Sequence, residues 1–518
     1  MLFNSHVFIL AFLPVMLLGY TLLGHTVGRR PAQLFLVAGS LFFYGWWDAS
    51  YLPLLIATTV FNYMVGRRLT DAYRRNTPSR RPLLAFGITV NLAILAYFKY
   101  ATFFVENLEA LTGLDFAMRA VVLPLGISFF IFQKIAYLAD SASGKAPDYD
   151  FLGFCLFVSF FPQLIAGPIV HHRDVMGQFQ RPIREVLTAR NFALGVTFFT
   201  IGLFKKVMIA DNLAPLAQAS FVSFAAGEVL GAVSAWRGAL AYAFQLYFDF
   251  SGYSDMAIGL GLMFGIRLPY NFNSPYKANS IIDFWRRWHM TLSRFLRDYV
   301  YVPLGGNRKG PTRRYLNLLL TMLLGGLWHG AAWTFVLWGG LHGFYLMVNH
   351  AWQKLRATLG WTAPAGPAGS LVARAVTFVA VVVGWVFFHA PSLGAALDML
   401  QSMAGMNGLS TVKAAGTVQG VTELAGAAGG GAAAQDGRLA SLWSFVAARS
   451  SDLVLVLLLL VAWFAPNSQE IVEAADRRRG WLAIRWQPTA TWAVVVAGCL
   501  LATMTQMSKV SAFLYFQF

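Results

Sequence analysis

The chain has 518 residues, 57% of them hydrophobic and only 12% charged, about half the charged share of an ordinary soluble domain. A soluble fold of this size would lack the charge to cover its surface, and the same arithmetic excludes disorder, collagen and coiled coil; a polytopic membrane protein remains. The 40 Lys and Arg against 23 Asp and Glu give a formal net charge of +17, which alone fits nucleic acid, anionic lipid, an acidic substrate or membrane topology.

The first apolar run, 7–23, has no Lys or Arg before it, and Arg29 is the first cation. A secretory signal peptide would carry its positive charge on the other side, so the run reads as a retained first span. Further apolar segments follow at 34–48, 51–66, 83–104, 120–138, 151–169, 192–210, 234–248, 253–268, 315–330, 331–349, 371–389, 452–465 and 488–505. A span needs about 20 apolar residues, so some of these pair or re-enter, and about 10–12 crossings are expected.

The basic loops set the orientation. Arg67, Arg68, Arg74, Arg75, Arg80 and Arg81 against Asp71 place 67–82 in the cytoplasm. Glu106, Glu109 and Asp115 against Arg119 place 105–119 outside, and the N-terminus falls outside. Arg477, Arg478 and Arg479 mark another cytoplasmic segment. Two stretches read as connectors: 356–370, and a flexible loop at 404–438 containing the low-complexity run Ala425 to Ala434. The whole chain, 1–518, reads as one membrane domain.

Polar residues at membrane depth carry the information in such a protein, and they concentrate in 245–345. The run QLYFDFSGYSDMAIGLGL holds Asp249 and Asp255, which read as structural carboxylates capping a helix broken near Gly252 or pairing with arginines. Next, Arg286, Arg287, Arg294 and Arg297 interleave with Trp285, Trp288, Phe295 and Tyr299. That mix suits an interfacial helix with Ser280 as N-cap and Asp283 in capping-box position, ended by Pro303, Gly305 and Gly306, with His289 in its middle. Basic residues beside aromatics also occur in nucleic-acid binders, but flanking spans and cytoplasmic arginines account for them here.

In YLNLLLTMLLGGLWHGAAWTFVLWGGLHG, His329 is embedded in an apolar span beside Trp328, Gly325, Gly326, Gly330 and Ala331. A neutral imidazole there serves either as an interhelical hydrogen bonder or as a group that takes a proton and returns it. His342 and His350 read as structural, and His171 and His172 as loop or interface residues after the Gly167–Pro168 turn. Cys155 and Cys499 form neither a disulfide framework nor a metal cluster, and no HExxH, CxxC pair, Walker loop or GxSxG elbow is present. No metal site and no cofactor are expected.

These residues resemble a known family. FDFSGYSDMAIGLGLMFG, NSPYKANSIIDFWRRWHMTLSRFLRDYVYVPLGGNR and LLTMLLGGLWHGAAWTFVLWGGLHG are similar to the membrane-bound O-acyltransferase (MBOAT) family of the bacterial alginate O-acetyltransferase (AlgI) type. LPLGISFFIFQKIAYLAD, FFPQLIAGPI, FKKVMIADNLA and the final FLYFQF extend the resemblance over nearly the whole chain. It implies an all-α fold of spanning, re-entrant and interfacial helices around a central pore. It also implies O-acetyl transfer from a cytoplasmic thioester such as acetyl-CoA to an exopolysaccharide, most of all alginate, with periplasmic polysaccharide-modifying proteins and membrane lipid as partners and no nucleic acid. Cellulose or peptidoglycan is the alternative acceptor, and a transporter or flippase the alternative of another class. The family's catalytic histidine matches His329 in LWHG, and its second polar position matches His289 in WRRWHMTLS. Asp249, Asp255, Trp285, Arg286, Trp288, Trp328 and Asn317 are the expected substrate-binding or pore-lining residues.

Overall fold

The structure, a computed structural model, describes residues 1–116, 118, 121–361, 366–409, 437–473, 486–507 and 513–514, with the backbone alone for 437–449. The run Ala425 to Ala434, Arg119, Arg477, Arg478, Arg479 and the last four residues of FLYFQF lie outside the described residues. Among those described, every regular element is helical, and the chain is an all-α, multi-pass membrane protein.

Five described helices are long and apolar enough to cross a membrane: Phe8–Thr26, Ala49–Arg74, Arg80–Thr112, Ala189–Ala225 and Pro367–His389. Ser450–Phe464 and Ala490–Thr505 are shorter apolar helices. Ala232–Met263, Gly310–His329 and Trp333–Thr358 are also of spanning length, and they carry most of the polar residues that matter below. The 10–12 crossings expected from the sequence count such helices together with the strictly apolar ones.

At the centre lies Ala232–Met263. From Ala241 to Met263 every one of its residues is buried, Asp249 and Asp255 included. It is one unbroken helix of 32 residues, which corrects the reading of two segments with a break near Gly252. Gly252 serves close packing instead. A Cβ on Gly202 would lie 2.4 Å from the Gly252 carbonyl oxygen, and one on Gly259 would lie 2.5 Å from that of Gly195. These glycines let the backbones of Ala189–Ala225 and Ala232–Met263 nearly touch, the usual way helices associate where lipid removes the hydrophobic drive.

Segment 151–169 is likewise not one span. It divides into Phe151–Ser159 and Phe161–Leu164, with Pro162 in the second. The stretch expected as a single interfacial helix is two short ones, Ile281–Trp285 and Met290–Leu296. Ser280 caps the first by accepting from the Asp283 N–H, as the sequence indicates, but Arg286–His289 interrupts the run.

Besides the wholly apolar π-helical stretch Phe8–Phe12, three further ones lie within or beside longer helices: Ala96–Tyr100, Lys205–Ala210 and Arg297–Tyr301. Such stretches are rare, and they rotate the side chains that follow. Each of these three delivers polar side chains to a neighbouring element.

Candidate functional site

His329 is the last residue of Gly310–His329. That helix and Trp333–Thr358 form a tight hairpin. A Cβ on Gly326 would lie 2.2 Å from the Phe335 carbonyl oxygen, and one on Gly339 would lie 2.3 Å from that of Met322. The LWHGAAW sequence is therefore a close turn between two helices, with the imidazole at its inner corner. His329 is buried among Trp328, Trp338 and Phe388, whose ring centroids lie 4.9, 5.1 and 5.1 Å from its own. A cavity of about 70 Å³ opens beside it, lined by Lys99, Ser128, Phe129, Ile165, Trp328 and His329 among others.

His289 faces the same corner, its ring centroid 6.4 Å from that of His329. It is fully buried, and its backbone lies in the left-handed region at φ 43, an uncommon conformation for a β-substituted residue that tends to mark functional sites. Asn271 holds it there. The Met290 N–H donates to the Asn271 carbonyl at 2.9 Å, and the Asn271 side-chain Oδ1 accepts from the Thr291 N–H at 3.3 Å and the Thr291 hydroxyl at 2.9 Å. The same Oδ1 lies 3.0 Å from His289 Nδ1. A backbone N–H must donate, so this atom is the amide oxygen; Nδ1 then carries the proton and Nε2 the lone pair.

The other expected residues divide. Trp328 joins the two histidines, with its ring 6.0 Å from that of His289. Trp285 stands one layer back, its indole N–H donating to His342 Nδ1 at 3.3 Å, while His342 packs 4.9 Å from Trp338. Trp288 is buried in an aromatic stack with Phe284 and Trp385, which continues to Trp338 and Phe388 beside His329. Arg286 is exposed. Asn317 lies twelve residues before His329 on its helix, about 18 Å along the axis, and ties that helix to the preceding turn by donating to the Gly306 carbonyl at 2.9 Å.

The aspartates are buried and paired, but their partners are lysines and not arginines. Lys206 Nζ lies 2.6 Å from Asp249 and 2.8 Å from Asp211. Lys205 Nζ lies 2.7 Å from Asp255, which also accepts from the Ser468 hydroxyl at 2.5 Å. The Leu514 N–H donates to Asp249 at 3.1 Å, so part of the FLYFQF motif returns to the central helix.

His171 and His172 are buried, the first just before the helix His172–Phe179 and the second its opening residue. His172 Nε2 meets Asp140 at 2.9 Å and its Nδ1 meets the Tyr149 hydroxyl at 2.8 Å. The Tyr299 hydroxyl donates to Asp140 at 3.0 Å and lies 3.2 Å from His171 Nδ1. Arg294 pairs with Asp174. This network fastens the helix His172–Phe179 to the segment that carries His289.

Sequence reasoning missed Asn271 and Lys99. Asn271 gives no local signal. Lys99 did give one, as an ionisable residue inside an apolar run, but it lies far outside 245–345.

A buried imidazole beside a small cavity, with a second ring 6.4 Å away in a bundle of membrane helices, is an arrangement chemically able to take up and return a proton. The comparisons make the class specific. Residues 34–384 match the model of the MBOAT, membrane-bound O-acyltransferase family, and the chain belongs to that family; it is an acyltransferase, which sets the transporter alternative aside. It is 44% identical over 437 residues to a peptidoglycan O-acetyltransferase of Helicobacter pylori, covering 79% of this chain and 81% of that protein. It is 46% identical over 409 residues to a probable alginate O-acetylase AlgI of Pseudomonas putida, covering 78% and 80%. A teichoic acid D-alanyltransferase of Streptococcus thermophilus is 28% identical over 247 residues, covering 45% and 59%.

Proposed function

We propose that this chain transfers an acetyl group from a cytoplasmic thioester, with acetyl-CoA as the simplest donor, to hydroxyls of a polysaccharide beyond a bacterial inner membrane. The observation that carries the reading is the corner where His329 and His289 meet beside the cavity. Relatives named for O-acetyl transfer support the chemistry. Alginate is the acceptor we name. Peptidoglycan is the second reading, favoured by the Helicobacter pylori relative at 44% identity.

In this reading His329 takes the proton of the acceptor hydroxyl as the oxygen attacks the thioester carbonyl. A C–O bond forms, the C–S bond breaks, and the thiolate leaves with the proton that His329 returns. An acyl-His329 intermediate is the two-step version of the same transfer. His289, with Nδ1 tied to Asn271, presents Nε2 toward the site as an orienting or proton-relaying group. Orientation follows the basic loops. Arg308, Lys309 and Arg313 are exposed and face the cytoplasm, where they attract an anionic donor. His329 lies fifteen residues beyond Arg314 on one helix, about 22 Å along the axis, inside a hydrocarbon core about 30 Å thick. The N-terminus is periplasmic, and periplasmic polysaccharide-modifying proteins receive or direct the acetyl group.

The test is polymer O-acetyl content in cells whose sole copy carries His329→Ala, with membrane insertion measured alongside. Loss of acetyl from alginate with normal insertion supports the reading; loss from muropeptides alone moves the acceptor to peptidoglycan. Unchanged acetylation of both polymers would overturn the role of His329.

A further inference from the structure

An α-helix leaves its last four carbonyls without intrahelical donors. In Gly310–His329 these belong to Gly326, Leu327, Trp328 and His329. Only the first is served locally, by the Gly330 N–H at 3.4 Å. Gly330 is extended, at φ -159 and ψ 150, so the left-handed closure that commonly ends a helix is missing. The remaining three carbonyls are served from another helix. The Tyr100 hydroxyl donates to Leu327 at 2.8 Å. Lys99 Nζ donates to Trp328 at 2.5 Å and to His329 at 3.1 Å, with the Ser128 hydroxyl at 3.5 Å as its third neighbour.

Adjacent residues of an α-helix point about 100° apart. Lys99 and Tyr100, which end the π-helical stretch Ala96–Tyr100, both reach this one helix end. The ammonium also lies 5.8 Å from the centroid of the Trp328 ring and lines the cavity beside His329. A cation is the favoured group at the negative end of a helix dipole, and an ammonium has three donors for three acceptors.

We propose that Lys99 is a positioning residue for the acyl transfer: by holding the Trp328 and His329 carbonyls it fixes the end of the helix, and with it the imidazole, against the cavity. The proposal rests on the role given to His329 above. Without Lys99 the two carbonyls lose its ammonium, the last turn loosens and the imidazole shifts from its place. A displacement of about 1 Å at a reacting group costs about 10²-fold in rate.

The experiment uses the full-length chain in cells that carry no other copy, and the purified protein with acetyl-CoA as donor probe. Lys99→Met removes the donors while keeping most of the bulk. We expect polymer O-acetylation to fall about 10²-fold, the size of a positioning defect, with kcat reduced, KM for acetyl-CoA unchanged and the amount of inserted protein normal. Lys99→Arg, which keeps charge and donors, restores most of the activity, and Lys99→Gln falls between. Wild-type transfer by Lys99→Met overturns the proposal, as does Lys99→Arg performing no better than Lys99→Gln; the second comparison decides if Lys99→Met fails to insert. His329→Ala is run in parallel. Acetylation surviving in that variant refutes the role of His329, whereas its loss together with a fully active Lys99→Met refutes the role of Lys99 alone.

Discussion

The lysine–aspartate ladder and the histidine corner are two ways of burying polar groups in one bundle. In the ladder, Lys205 and Lys206 meet Asp255 and Asp249 across helices brought together by paired glycines. Opposite charges are matched, and Ser468 and Leu514 supply further hydrogen bonds to the carboxylates. In the corner, His329 and His289 sit among tryptophans and phenylalanines with a cavity at their side. Charges matched to one another leave nothing for a substrate to engage. Imidazoles beside open space keep a proton acceptor within reach of one. Depth alone does not mark function in a membrane protein; what surrounds the polar group does.

The largest contrast is expected from one substitution in each region. His329→Ala should cut acyl transfer by about 10³-fold, within the usual range for a lost general base, while the thermal unfolding midpoint of the detergent-purified protein stays put. Lys206→Met should do the reverse at comparable size, costing about 3–5 kcal/mol of stability because Asp249 is left buried and charged without its partner. The double variant Asp249→Asn with Lys206→Met should recover much of that loss in the same melt. A Lys206→Met protein that is stable but inactive would move the ladder into the catalytic machinery and erase the distinction.

Asn271→Ala tests the support behind His289. It removes the acceptor shared by His289 and Thr291, a loss of about 1–3 kcal/mol. Steady-state assays should show a roughly tenfold fall in kcat, the equivalent of about 1.4 kcal/mol. At the lower end stands Arg286→Ala. The side chain is exposed, so stability should change by no more than about 0.5 kcal/mol. A large fall in donor affinity in that variant would instead show that the basic surface binds the thioester carrier directly.

Much of this was legible in the sequence. Apolar segments and basic loops give the helical, multi-pass character, and the LWHG and WRRWHMTLS motifs single out the two histidines that the fold brings within 6.4 Å. What stayed hidden depends on neighbours far along the chain. Asp249 and Asp255 look like a broken helix because glycines and carboxylates crowd one stretch. The glycines instead admit another helix, and that helix carries the lysines. His171 and His172 look like loop or interface residues because they follow a turn; that they are buried depends on Asp140, Tyr149 and Tyr299, which converge on them from elsewhere. Lys99 gives a local signal, an ion inside an apolar run, but its target lies 230 residues away.

The π-helical stretches also expose the fold to a change in residue count. A π-helical turn holds a single residue more than an α-helical one, so Ala96–Tyr100, Lys205–Ala210 and Arg297–Tyr301 each hold one residue more than regular winding needs. Deleting one residue from Ala96–Tyr100 would restore regular winding with the flanks little rotated, since five π-helical residues turn the chain about as far as four α-helical ones, but the widened turn that ends in Lys99 and Tyr100, and with it their hold on the carbonyls, would be lost. The polar architecture of this protein is thus exposed to a kind of mutation that leaves every retained residue chemically unaltered: a shift in count, with the alphabet untouched.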